Sequence, residues 1–161
     1  MQKLRNCQFI INIDMIENIS GANRDFEIIF STTDKEVYKF IFTHVWDIRC
    51  SIENASLNRF YQFRKNMPDE TIESCVFVVE DSDYIKHFGS EAFGTLPAED
   101  LTHYIIWDHT DTIIDILVCG DLGLNSPSLT HCSDTEEVIA HIVRHRYSCL
   151  PSDTAEAETT Q

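Results

Sequence analysis

Apolar residues are most concentrated between Leu101 and Val118, in the segment LTHYIIWDHTDTIIDILV. Two Ile-rich runs are separated there by the short polar stretch Asp108 to Asp111. β-Branched runs joined by a few turn-forming residues are typical of a β-hairpin. Both alternating sets of side chains are largely apolar, so we expect the hairpin to be covered on both faces. A helix over Thr112 to Cys119 is the competing interpretation, but the β-branched composition favours a strand.

The segments before this hairpin predict further strands. Runs at Cys7 to Met15 and Phe26 to Thr32 would pair across a longish polar loop. The alternating segment VYKFIFT, Val37 to Thr43, would continue them as an antiparallel meander. Ile72 to Glu80 returns as another strand.

Helical spacing appears from Val45 to Lys65. One apolar stripe comprises Val45, Ile48, Ile52, Ala55 and Phe63. This spacing predicts a long helix that lies across the sheet. The polar connection from Asp81 to Asp100 then has the length of a binding loop, with a helical turn over Ser82 to Phe88.

Near the C-terminus, Ser133 and Glu136 form a capping box that predicts a helix to about His145. Residues 151–161 contain no large apolar side chain, so we expect a disordered acidic tail. Residues 1–150 are expected to form a single α+β domain. Its mainly antiparallel sheet of about five to six strands would pack against the long helix, with the C-terminal helix added.

The charge of the chain is distributed unevenly. The net charge is -15 over 161 residues, but residues 1–66 contain nine Lys or Arg and eight Asp or Glu. Residues 67–161 contain three basic and nineteen acidic residues. Such a field favours a cationic partner. Nucleic acid and anionic membranes are disfavoured, because binding them requires Lys and Arg.

The densest acidic stretch, Glu80 to Asp121, holds ten carboxylates and one base, Lys86. We expect it to bind the partner through carboxylates and an aromatic anchor. The predicted partner-binding residues are Asp81, Asp83, Tyr84, Glu91, Glu99, Asp100, Asp108, Asp111 and Asp121. The alternative is that these charges merely solvate the surface. Tyr104 and Trp107 could equally belong to the core.

Candidate metal ligands occur near the C-terminus. They are Cys132, His141, His145 and Cys149. Zinc uses these residue types, but the close Cys-x-x-Cys element of most zinc modules is missing. We therefore expect no metal and no cofactor.

A second cluster surrounds the predicted hairpin turn. It comprises His103, Asp108, His109 and Asp111. Turn chemistry explains the two aspartates, and no motif places a nucleophile beside them. We therefore expect no catalytic residue and no enzyme activity. Asp115 is either exposed at a strand edge or a buried carboxylate with several donors, and the cost of unpaired burial favours exposure.

No apolar run approaches the ~20 residues that span a bilayer, and the first ten residues do not resemble a signal peptide. We therefore expect a cytoplasmic protein. The six cysteines lack any Cys-x-x-Cys pair, which fits reduced thiols.

Three segments carry a resemblance to a known class of proteins. They are VWDIRCSIENASLNRFYQFRKNMPDE, FVVEDSDYIKHF and HYIIWDHTDTIIDIL, within Val45 to Val118. The chain resembles small bacterial immunity proteins of polymorphic-toxin and contact-dependent inhibition systems. The resemblance implies binding to a cognate toxin C-terminal domain inside the producing cell. A nuclease-type toxin would be basic, so an acidic protein could occlude it. The alternatives are an acidic nucleic-acid mimic or adaptor, and a metal-dependent enzyme that uses the His and Cys residues.

Overall fold

Antiparallel strands dominate the structure, a computed structural model. It describes residues 2–52, 74–92, 98–120 and 126–132, together with the single positions 58, 61, 62 and 65. Strands make up 58% of these residues. The strands are β1 (Lys3–Asn6), β2 (Ile13–Ala22), β3 (Asp25–Thr32), β4 (Val37–Phe42), β5 (Val45–Ile52), β6 (Val76–Glu80), β7 (Leu101–Trp107), β8 (Thr112–Cys119) and β9 (Ser128–His131). Helix α1 (Asp83–Glu91) and a 3-10 turn (Ala98–Asp100) complete the described elements.

A five-stranded sheet has the order β1-β6-β7-β8-β5, and all its neighbours are antiparallel. Its centre is the hairpin β7–β8, which the sequence predicted. Both strands are buried along most of their length, as expected from their apolar residues on both faces. The helical alternative for Thr112 to Cys119 is therefore wrong.

A four-stranded antiparallel sheet has the order β2-β3-β4-β9. Hairpin β2–β3 turns through two residues, Asn23 and Arg24, with φ of 53° and 73°. Positive φ at both positions is the geometry of a type I′ turn, whose twist matches that of the paired strands. The predicted strand over Val37 to Thr43 is confirmed as β4, and the predicted meander as β2-β3-β4.

The core lies between the two sheets. Phe30, Phe40 and Phe42 of the four-stranded sheet are fully buried. The ring of Phe42 meets the ring of Tyr104, on β7, at 5.5 Å between centroids. One hydrophobic cluster includes residues from both sheets, so the fold is a sandwich.

The predicted fold class is wrong. We expected one sheet of about five to six strands on a long helix, whereas the described residues form nine strands in two sheets with one short α-helix. Val45–Ile52 is a strand, paired along its length with β8. Helical backbone is described only at positions 58, 61, 62 and 65 of the predicted long helix. From Trp46 to Ile52, apolar and polar residues also alternate strictly, which is the period of a strand, and pairing with β8 selects this structure.

Smaller differences from the prediction concern the outer strands and the first hairpin. The first hairpin is formed by Ile13–Ala22 with Asp25–Thr32, so the expected polar loop is mostly strand. β1 and β9 lie where no strand was expected. The helical turn predicted over Ser82 to Phe88 is confirmed, and α1 continues to Glu91.

The predicted C-terminal helix and the tail 151–161 lie outside the described residues. No helix in the described part of the chain is long and apolar enough to cross a lipid bilayer.

Candidate functional site

Four of the predicted partner-binding carboxylates lie at one end of the five-stranded sheet. β6 and β7 are antiparallel, with Val78 opposite Tyr104. The residues that follow β6 and those that precede β7 therefore meet at the same sheet end. We call this group, Asp81, Asp83, Glu99 and Asp100, the acidic end. Helix α1 contacts the 3-10 turn here, which joins the two halves of the group.

The charges of the acidic end are only partly compensated. Asp83 forms an ion pair with Lys86 at 3.1 Å, and Asp81 accepts from Lys86 through its backbone oxygen. Glu99 is exposed and Asp100 is half-buried, and neither carboxylate pairs with a base that the structure describes. Further along the sheet edge, Glu80 pairs with Arg5, and Lys3 lies opposite Glu80 on β1. The acidic end therefore keeps an excess of negative charge.

The remaining predicted residues lie elsewhere. Asp108 and Asp111 occupy the β7–β8 turn, at the opposite end of a seven-residue strand and so ~20 Å away. Glu91 is exposed at the last turn of α1, where it pairs with His87 at 3.3 Å. Asp121 lies outside the described residues. The predicted acidic tract is thus divided between two ends of the sandwich.

The Asp108 carboxylate is hydrogen-bonded inside the protein. Its carboxylate is buried and accepts from the backbone N–H groups of Thr110 and Thr112 at 2.9 and 2.8 Å. It also accepts from the Thr110 hydroxyl at 2.9 Å and from Ile16 N–H, on β2, at 3.0 Å. The last bond joins the turn to the other sheet. We therefore leave Asp108 out of any partner surface.

A buried polar array lies beneath α1, beside the acidic end. His103 Nε2 is 2.8 Å from Asp115 Oδ1, and His103 Nδ1 is 2.8 Å from the Ser82 hydroxyl. These three residues are 1%, 2% and 4% exposed in the order His103, Asp115, Ser82. The expectation that Asp115 is exposed or at an edge is wrong, because it lies on a central strand. The imidazole supplies the partner that makes its burial tolerable.

The register of the sheet explains why the array forms on this side. Asp115 lies directly opposite Ile105 on β7 and Arg49 on β5, and opposed residues share a face. His103 precedes Ile105 by two positions and therefore projects to the same face. The rings of His103 and Tyr84, on α1, are nearly perpendicular and lie 5.1 Å apart between centroids. Helix α1 thus covers this face, whereas the other face packs on the second sheet.

The Tyr84 ring also makes its contacts inside the protein. The guanidinium of Arg49 lies 4.0 Å from the centre of its ring, and Arg49 pairs with Asp47 at 3.4 Å. Burial raises the pKa of the Tyr84 hydroxyl, and the nearby carboxylate of Asp47 raises it further. This predicted anchor therefore holds α1 on the sheet, and we leave it out of the partner surface.

The order serine, histidine, aspartate invites comparison with a nucleophilic triad. A triad histidine takes the proton of an accessible serine and is oriented by the carboxylate. Here the Ser82 hydroxyl is buried, and its oxygen also accepts the Ile85 N–H at 3.1 Å as the N-cap of α1. The three side chains satisfy one another when Nε2 carries the ring proton and Nδ1 accepts from Ser82. Capping α1 and holding it on the sheet are therefore sufficient to explain why these three side chains lie together.

One of the four candidate metal ligands lies in the described part of the chain. Cys132 is half-buried after β9, and His141, His145 and Cys149 lie outside the described residues. The second cluster is dispersed, since His103 is buried under α1 while His109 is exposed in the turn. Within the described ranges, no three His, Cys, Asp or Glu side chains lie close enough to hold a metal ion.

Comparisons with known proteins found no match among protein-family models, curated proteins or solved structures. The contacts described above therefore supply the support for a function.

Sequence reasoning missed the array formed by Ser82, His103 and Asp115. A signal was present, because His103 and Asp115 interrupt two apolar strands that the hairpin prediction already paired. Polar residues on one face of adjacent buried strands must satisfy each other or a third group. Applying that rule to the hairpin would have predicted burial of Asp115 beside His103.

Proposed function

We propose that this protein is an immunity-type inhibitor, which binds a basic toxin domain and covers its cationic surface with the acidic end. A nuclease-type toxin is the partner class, because a domain that binds a polyanionic substrate carries a surface of Lys and Arg. Asp81, Asp83, Glu99 and Asp100 would face those bases. The resemblance of Val45 to Val118 to bacterial immunity proteins supports this function over a general acidic module.

The observation that carries the proposal is the convergence of two acidic segments. Asp81 and Asp83 follow β6, whereas Glu99 and Asp100 precede β7, and the antiparallel pairing of these strands brings them to one sheet end. The carboxylates of Glu99 and Asp100 remain without an ion pair to any described base. Charges held without a local counterion are available to a partner.

The scaffold beneath the acidic end favours a defined binding geometry. The central strands are buried, and α1 is fixed to them by ring contacts and by the bond between Ser82 and His103. A surface that is already ordered loses less conformational entropy when it binds. Its charge would mainly accelerate association, and the contacts formed afterwards would set the dissociation rate.

The test compares two double variants with equal loss of charge. Glu99→Gln with Asp100→Asn removes the two carboxylates of the acidic end that pair with none of the described bases. Asp34→Asn with Asp111→Asn removes two exposed carboxylates in turns at the opposite end. Asn tolerates the positive φ of Asp111, so the control leaves that turn intact.

The partner is first captured from lysate of the native cell, and association rates are then measured against salt concentration. We expect the Glu99/Asp100 variant to associate about tenfold more slowly at low salt, and the control to remain close to wild type. The captured domain should lose its nuclease activity in an equimolar complex. Equal effects of both variants would contradict the proposal. Capture of many nucleic-acid-binding proteins, all released by modest salt, would instead indicate a nucleic-acid mimic.

A further inference from the structure

Ser82 connects the acidic end to the interior of the sheet. It lies between Asp81 and Asp83, and its backbone has the extended geometry of an N-cap, with φ of -60° and ψ of 120°. Its hydroxyl oxygen accepts the Ile85 N–H at 3.1 Å, and the same hydroxyl is 2.8 Å from His103 Nδ1. One side chain therefore both starts α1 and ties it to β7.

His103 is itself held from the other side. Its Nε2 meets Asp115 Oδ1 at 2.8 Å, and Asp115 lies on β8, between β7 and β5. Both side chains are almost fully buried, so the ring cannot turn without breaking a bond in a site closed to water. The position of the Ser82 hydroxyl is consequently set by the centre of the sheet.

We propose that His103 is a positioning residue for the acidic end. In its neutral form with Nε2 protonated, it accepts the Ser82 hydroxyl proton at Nδ1 and thereby fixes the first turn of α1. The carboxylates of Asp81 and Asp83 flank Ser82, so the same bond fixes where they stand relative to Glu99 and Asp100. This inference rests on the proposed function, because it assigns His103 a part in presenting that binding surface.

Three substitutions separate the bonds of the array. His103→Gln places an amide where Nε2 stands, so it can still donate to Asp115 but no longer reaches Ser82. Ser82→Ala removes both the N-cap acceptor and the hydroxyl that meets the ring. Ser82→Thr keeps the hydroxyl, and Thr is also accepted at N-cap positions, so it should restore the wild-type behaviour.

The first measurement is amide hydrogen exchange, which needs no partner. In His103→Gln we expect the N–H groups of the first turn of α1, from Ile85 to Phe88, to exchange about fivefold faster, the size expected for loss of a cap. The β7–β8 amides should change less. Nitrogen-15 NMR of the wild-type ring should show a protonated Nε2 and an unprotonated Nδ1. Unchanged exchange in α1, or the opposite tautomer, would overturn the proposal.

The second measurement is binding of octalysine, a cationic probe of the acidic end. Affinity should fall in His103→Gln and Ser82→Ala, and Ser82→Thr should retain it. If Glu99→Gln with Asp100→Asn weakens octalysine binding but His103→Gln does not, the positioning role is wrong while the docking surface stands. If none of these variants changes octalysine binding although α1 loosens, both the positioning role and the acidic docking surface are wrong.

Discussion

His103 Nε2 and Asp115 Oδ1, 2.8 Å apart, join the two strands of the central hairpin by a side-chain bond inside the protein. Both residues are buried in a sheet whose other central side chains are mostly apolar. Loss of either side chain removes a bond from a polar group that stays buried, and the cost of leaving such a group under-satisfied exceeds the net gain of an ordinary hydrogen bond.

Asp115→Ala is therefore expected to lower the free energy of unfolding by about 3 kcal/mol, measured by urea denaturation. Asp115→Asn keeps an acceptor oxygen of the same shape and serves as the control, with about half that loss. A loss below about 1 kcal/mol in the alanine variant would mean that His103 finds another acceptor.

Asp108→Ala is expected to destabilise the protein by about 2 to 4 kcal/mol, because three backbone or hydroxyl donors of the turn and the N–H of Ile16 lose their acceptor. An exposed residue of the same turn provides the comparison, since Asp111→Asn should change stability by no more than about 0.5 kcal/mol. Thermal unfolding of both variants checks the difference. Similar melting temperatures would show that water replaces the Asp108 carboxylate.

Gly21→Ala is expected to cost about 1 to 3 kcal/mol in urea denaturation. A Cβ at position 21 would stand 2.5 Å from Phe26 Cδ1 and 2.7 Å from the backbone oxygen of Asp25, so the hairpin β2–β3 must shift. Gly89→Ala is the opposite case, because nothing lies within 4 Å of its Cβ position in α1. There we expect a gain of about 0.5 to 1 kcal/mol from helix propensity. The prediction fails if both variants shift stability in the same direction.

The exposed pair of Asp14 and Lys35, 2.7 Å apart, gives a defined pH dependence. The hydrogen bond from Lys35, with its charge, holds the pKa of Asp14 below its ordinary value of 3.8. Any stability from this carboxylate is present above its unfolded-state pKa and is lost as the pH falls through the lower folded-state pKa. The pKa of Lys35 is raised above 10.5 by the hydrogen bond to Asp14, so its contribution is lost as the pH rises through that raised pKa.

An NMR titration of the Asp14 carboxyl carbon checks this relationship. The midpoint in wild type should lie below 3.8, and Lys35→Gln should bring it back towards the ordinary value. High salt should also move the midpoint towards the ordinary value, because exposed charges are screened. An unchanged midpoint in Lys35→Gln would mean that another group lowers the pKa of Asp14.

The sequence predicted the parts of the fold in which local pattern and tertiary pairing agree. The β7–β8 hairpin, β4 and the start of α1 have turn, alternation or cap signals within a few residues. β5 was misassigned because Val45, Ile48 and Ile52 match helical spacing, while the alternation from Trp46 to Ile52 matches a strand equally well. Pairing with β8 decides between these patterns, and pairing is not encoded in the spacing of one segment.

The same distinction between local pattern and tertiary pairing applies to the candidate site. Composition indicated that the stretch from Glu80 to Asp121 is acidic. It is the arrangement of the strands that places Asp81 and Asp83 at one end of the sheet and Asp111 at the other. The burial of Asp108 and Tyr84 depends on contacts with β2 and β5, which lie far away in the sequence. A charge count along the chain therefore predicted one continuous acidic surface, whereas the strands divide its carboxylates between two ends of the sheet.

The bond from Ile16 N–H to Asp108 links positions 92 residues apart and closes one end of the sandwich. Each of its two halves belongs to a hairpin that can form from nearby residues, whereas the bond itself requires both hairpins to be complete. Long-range closure of this kind is slow compared with hairpin formation. We therefore expect refolding to end with a late step in which β2 docks on the β7–β8 turn. The hydrogen bond from Ile16 N–H to the Asp108 carboxylate would form in that step.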